Sequence, residues 1–161
     1  MCYPAFSPNR HLKIEDASGS TKGFNNGVTL NNEYKYDTLG NLKEDKNKGI
    51  ASITYKIFGK PQVITFTSGK IIRYTYDAAG TKLTVKTYQG GTLLSCTNYS
   101  GSFLYEGTTP VLSFFGSPEG RTVKNGSNFE YQYAISDHQG NTRALFTSAT
   151  PAPEAVTANM E

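Results

Sequence analysis

Tryptophan is absent from the 161 residues, cysteine occurs only twice, and no apolar run approaches the length of a membrane-spanning helix. Each absence excludes something. Cys2 and Cys96 lie far apart with no CxxC spacing, so neither a zinc site nor a disulfide framework is indicated. Without some twenty consecutive apolar residues, no helix can cross a bilayer. The start, Met1-Cys2-Tyr3-Pro4, lacks the basic and apolar stretches of a signal peptide. For a complete protein that would mean the cytoplasm; for a fragment it carries no message, and the repeats below point to a fragment. Sixteen basic and thirteen acidic residues leave a net charge of +3, and neither sign runs in blocks. No polybasic footprint for nucleic acid or membrane is therefore present. Nor does any window keep a helical period over three turns.

Eleven Tyr, nine Phe and sixteen Gly stand out instead, with many Thr and Asn. Aromatic and β-branched residues suit a half-buried pleated surface, and Gly and Asn suit turns. The composition implies an all-β protein of many short strands. Ile53, Tyr55 and Ile57 alternate, as do Ile72, Tyr74 and Tyr76, and Phe129, Tyr131 and Tyr133. Ser68-Gly69 separates the runs 63–67 and 70–76, and Gly90-Gly91 separates 83–88 and 92–99, so both pairs read as hairpin turns. With Thr142–Thr147 after the last turn, at least eight strands are expected, mostly antiparallel hairpins.

The strands come in repeats. Tyr34-Lys35-Tyr36-Asp37-Thr38-Leu39-Gly40 recurs as Tyr74-Thr75-Tyr76-Asp77-Ala78-Ala79-Gly80. A worn copy between them keeps Tyr55 and Gly59, and a divergent fourth keeps Asp137 and Gly140. Tyr36, Tyr55 and Tyr76 set a period near twenty, enough for two strands of about six residues and two turns. The unit has a physical logic. Residues two apart on a strand share a face, Asp can bond the backbone two residues on, and Gly supplies a positive φ. Residues 1–30 lack this patterning and read as an irregular N-terminal segment; 31–147 form the repeat region; 148–161, without aromatics, read as a Pro/Ala/Thr-rich tail or linker.

These Tyr-Asp-x-x-Gly units resemble the YD repeats of RHS proteins. The run Asp137-His138-Gln139-Gly140-Asn141-Thr142-Arg143 is similar to the family's Asp-His-x-Gly-x-x-Arg signature near the end of the RHS core. Asn98–Glu106 and Pro118-Glu119-Gly120-Arg121 resemble linking segments of Bacteroidetes-type members. The resemblance implies a spiralling β-sheet shell that encloses or presents a C-terminal toxin domain. It also implies a secreted or cell-surface location for the parent protein, and neighbouring repeats and that domain as partners. Some relatives carry a self-cleaving Asp-Pro-x-Gly site; this chain has no Asp-Pro dipeptide, so no protease residue carries over.

Other chemistry is weighed against plainer readings. Asp137-His138 reads as a turn Asp beside a packed or solvated His, because neighbours on a strand point to opposite faces. His11 reads as a surface residue, and Cys96, beside Leu93 and Leu94, as a small buried hydrophobe. Asp37 and Asp77 offer one carboxylate each, too few for calcium. No catalytic residue, metal or cofactor is therefore assigned. The tyrosines are expected to form a cross-strand ladder; the other reading is a sheet whose rings stack on glycans, an adhesive surface module without cargo. Cut from its array, such a sheet is expected to self-associate through its edge strands.

Overall fold

A computed structural model describes residues 10–16, 24, 26–147 and 156–157. Among the described residues there are thirteen strands and no helix. Period-two sequence has produced period-two structure, and most of the turns carry glycine.

The chain divides into two compact units. The first contains β1 (Tyr34–Tyr36), β2 (Leu42–Asp45), β3 (Ile50–Tyr55), β4 (Pro61–Phe66) and β5 (Lys70–Tyr76), each antiparallel to the next. The register aligns Ile53, Ile64 and Ile72 across three strands. In this apolar row Ile53 is buried, and Ile64 and Ile72 are half-buried. Strands β6 (Lys82–Gln89) and β7 (Thr92–Ser100) are shared: residues 86–94 belong to the first unit, 82–85 and 95 onward to the second.

In the second unit β7 is followed by β8 (Phe103–Glu106), β9 (Val111–Ser117), β10 (Gly120–Asn125), β11 (Asn128–Ser136) and β12 (Thr142–Thr147), again each antiparallel to the next. The segment read as a tail contributes a short strand, β13 (Val156–Thr157), paired with Ala144 and Leu145. The rest of 148–161 lies outside the described residues.

Residues 10–16, in the segment expected to be irregular, form no strand yet have a definite role. The Leu12 carbonyl accepts the N–H groups of Glu33 (2.8 Å) and Tyr34 (3.3 Å) at the outer rim of β1. Glu33 itself is fully buried, its Oε2 accepting from the Ile14 N–H and from Asn47 Nδ2, both at 3.0 Å. The Ile14 bond holds the carboxyl below its usual range despite burial, which alone would raise it.

Hairpin boundaries at Ser68-Gly69 and Gly90-Gly91 fall within a residue or two of their sequence positions. The repeat glycines adopt the conformation the motif requires: Gly40 has φ 94° and Gly80 φ 81°. A β-branched residue there is strained whatever space surrounds it. Gly40→Val and Gly80→Val should each lower stability in urea by on the order of 1 kcal/mol or more. Gly116→Ala is the matched control, since Gly116 is not in the positive-φ region and an added Cβ would meet Ser102 only at 3.8 Å. Valine variants as stable as the control would show that the turn does not constrain these positions.

Candidate functional site: the repeated tyrosine–aspartate turns

Four hairpin loops share one construction. Thr38-Leu39-Gly40, Ile57-Phe58-Gly59, Ala78-Ala79-Gly80 and His138-Gln139-Gly140 each end on a positive-φ glycine. In the first, the Gly40 N–H donates to the Asp37 carbonyl (3.2 Å) and the Asp37 N–H to the Asn41 carbonyl (2.9 Å). The same pair of bonds closes 56–60, 77–81 and 137–141. This is the three-residue hairpin loop with a glycine bulge. The register accordingly slips next to three of the loops, at Lys35/Tyr36, Thr54/Tyr55 and Ile135/Ser136.

The aspartates complete the loops. Asp37 Oδ1 accepts the N–H groups of Leu39 (2.9 Å) and Asn41 (2.8 Å), and Oδ2 accepts from Asn41 Nδ2 (2.9 Å). Asp77 Oδ1 takes the Thr81 N–H at 2.8 Å. Asp137 repeats the Asp37 pattern with Gln139 and Asn141, and Arg143 adds an ion pair at 2.8 Å through Nη2. The Asn41 side chain holds the Asp37 carboxyl below the usual range, and the Thr81 and Asn141 N–H groups do the same for Asp77 and Asp137. His138 sits exposed at a loop tip.

Tyrosine hydroxyls link one repeat to the one before. Tyr55 donates to the Leu42 carbonyl (2.6 Å) and Tyr76 to the Pro61 carbonyl (2.8 Å). Leu42 and Pro61 are equivalent residues, the first of the strand that follows each loop. Tyr36 makes the corresponding reach to the His11 carbonyl at 3.0 Å. Burial pushes the Tyr55 and Tyr76 phenols up, which keeps both as donors. The expected ladder thus takes a different form. Hydroxyl-to-carbonyl bonds span the repeats, and ring contact between them runs through Phe58, set edge-on to Tyr76 at 5.7 Å. Tyr74 stacks on Tyr76 within one strand, and Tyr34 is buried with its hydroxyl 3.3 Å from Asn47 Nδ2.

Sequence spacing did not reveal a third element, a cation over two of the loops. Arg10 lies over the Tyr36 ring (5.7 Å) and donates to the Asp37 carbonyl (3.2 Å). Lys60 lies over the Tyr76 ring (5.7 Å) and donates to the Gly80 carbonyl. Arg10 and Lys60 precede their targets by different distances, so no motif announces them.

The arrangement is one of anchors. Each motif carboxylate is engaged by the donors of its own turn, and the hydroxyls of Tyr36, Tyr55 and Tyr76 each by a carbonyl. Among the described residues, no group of three or more His, Cys, Asp or Glu side chains is placed to hold a metal ion. Cys96 is buried, with its Sγ 3.4 Å from Asn98 Oδ1. Neither a protein-family model nor a curated protein matches the chain.

Two predictions test the anchors. Tyr55→Phe and Tyr76→Phe should each cost about 1 kcal/mol, the net worth of one hydrogen bond. Tyr131→Phe, at a half-exposed position, should be neutral. Equal effects at all three positions in urea titrations would remove the special status of the inter-repeat bonds.

The second concerns acid. Because the three aspartates have folded-state pKa values below their unfolded ones, their stabilisation is complete above the unfolded value. It disappears as pH falls through the folded value. The urea midpoint should therefore hold steady near neutrality and drop below about pH 4. Combining Asp37→Asn, Asp77→Asn and Asp137→Asn should lower the neutral midpoint and flatten the acid limb. An unchanged acid limb in that variant would assign the acid sensitivity to other carboxylates.

Proposed function

We propose that this chain is a non-catalytic scaffold segment of an RHS-type repeat protein, a stretch of β wall that helps to enclose or present a C-terminal toxin domain. The observation that carries this reading is the equivalence of the Tyr55–Leu42 and Tyr76–Pro61 bonds. A side chain that reaches back to the same backbone position of the preceding unit is useful only in an array. Repeat proteins draw their stability from such nearest-neighbour contacts. The engaged carboxylates of Asp37, Asp77 and Asp137 suit the same role, because they stiffen loops rather than face a substrate. On this reading the partners are further repeats of the parent protein and the enclosed domain, and the parent is secreted or displayed on the cell surface.

Cryo-electron microscopy of the product of the complete open reading frame tests it. Residues 34–147 should appear as consecutive strands of a continuous wall, with further Tyr-Asp units making the same hydroxyl bonds on either side. A product consisting of these 161 residues alone, compact, monomeric and melting in one sharp transition, would overturn the proposal.

A further inference from the structure

In the second unit the strand register separates rings from charges. Phe103 pairs with Phe115, Phe115 with Thr122, and Thr122 with Tyr131, so the four share one face of β8–β11. By the two-residue period, Phe129, Tyr133 and Ile135 lie on that face with Tyr131. The rings touch: Phe103 and Phe115 are 5.4 Å apart, Phe115 and Phe129 6.3 Å. Arg121, Glu130 and Gln132 take the opposite face, where the Arg121 guanidinium covers Phe114 at 5.3 Å and donates to Gln132 Oε1. On the ring face of β10 and β11 the register leaves Lys124 as the one charge.

That face is half-exposed. Phe129, Tyr131, Tyr133 and Ile135 are 50–55% exposed and Phe103 43%. Below them Thr122 is only 2% exposed, and its Oγ1 has no partner. Half exposure of five large side chains leaves on the order of 500 Å² of apolar surface. That is at the upper end for the largest patch on a monomer, ~300–600 Å². Two such patches brought together would bury roughly 1,000 Å², the lower bound for a biological interface.

We propose that this face is the contact between two copies of the chain, whose β8–β11 rings pack face to face as two aligned sheets. The patch is self-complementary: its centre is uncharged, so two copies related by a twofold axis desolvate no ionic group there, and Lys124 lies toward its border. Aligned sheet packing at ~10 Å accommodates interdigitated rings of this size. The contact differs from edge-to-edge strand pairing, which would leave the rings in water, and it does not depend on the scaffold role.

Sedimentation velocity of the full chain from roughly 1 to 100 μM should show a concentration-dependent dimer. Tyr131→Lys combined with Ile135→Lys should weaken dimerisation on the order of 100-fold. Both positions are exposed, so the far-ultraviolet circular dichroism should be unchanged. Because the chain has no tryptophan, Tyr133→Trp gives a single reporter whose emission should move to shorter wavelength as the dimer forms. Three results would overturn the proposal: a monomer throughout the range, a dimer indifferent to the two lysines, or a dimer in which the indole still emits as if in water. A monomer whose indole responds to a soluble β-glucan oligosaccharide would also overturn it, and would assign the face to glycan.

Discussion

The rest of the structure depends on one constraint: these strands must keep their register with little enclosed core. Among the described residues, the buried apolar side chains are Tyr34, Ile53 and Cys96. In a packed domain a one-residue slip would be penalised by turning a whole apolar face to water. Here that penalty is weak, so register must be fixed locally. The Asp-x-x-Gly loop does this at one end of a hairpin by tying its first residue to its fifth through the backbone. The tyrosine hydroxyl fixes the same hairpin laterally, by bonding a carbonyl of the unit before it.

The worn repeat separates the two devices. Lys56 stands where the other loops have Asp, yet Lys56–Lys60 closes with the same backbone bonds and Gly59 has φ 74°. Loop shape therefore follows from glycine and backbone, while the carboxylate adds charge-assisted bonds to a loop already formed. What the worn copy gives up within its own loop it supplies elsewhere. Lys60 caps the loop of the next unit at Gly80, Phe58 packs on Tyr76, and Tyr55 keeps its bond to Leu42. A degenerate motif can thus remain a sound link in the array.

This division also explains what could be read from the sequence. Glycine turns and period-two alternation act over a few residues, so the loops at Gly40, Gly80 and Gly140 and the hairpins at Ser68-Gly69 and Gly90-Gly91 were legible. The tyrosines were legible as a repeat but not as hydrogen-bond donors, because Leu42 and Pro61 accept through backbone atoms that leave no signature in sequence. Glu33 was missed for a related reason. A carboxylate buried among the N–H groups of Ile14 and Leu30 looks like any surface glutamate until the chain folds back onto it. The Leu12 pairing depends on the same long-range return and lay hidden in a segment without pattern.

The small basic excess acquires a structural meaning once the rings are followed. A sheet rich in tyrosine and phenylalanine needs something over its rings, and here long cationic side chains serve. Lys70 lies over Phe66, Arg73 over Tyr88 and Lys82 over Tyr99, each with its charge within 6 Å of the ring centroid, besides the pairs at Tyr36, Tyr76 and Phe114. Each pair contributes only about 0.5–1 kcal/mol at an exposed site. Their aliphatic stems nevertheless shield apolar surface while the charged ends stay in water. No described cation lies over Phe129, Tyr131 or Tyr133 in this way. Six rings thus carry a lid from their own chain, whereas those of β11 would take theirs from the second copy proposed above.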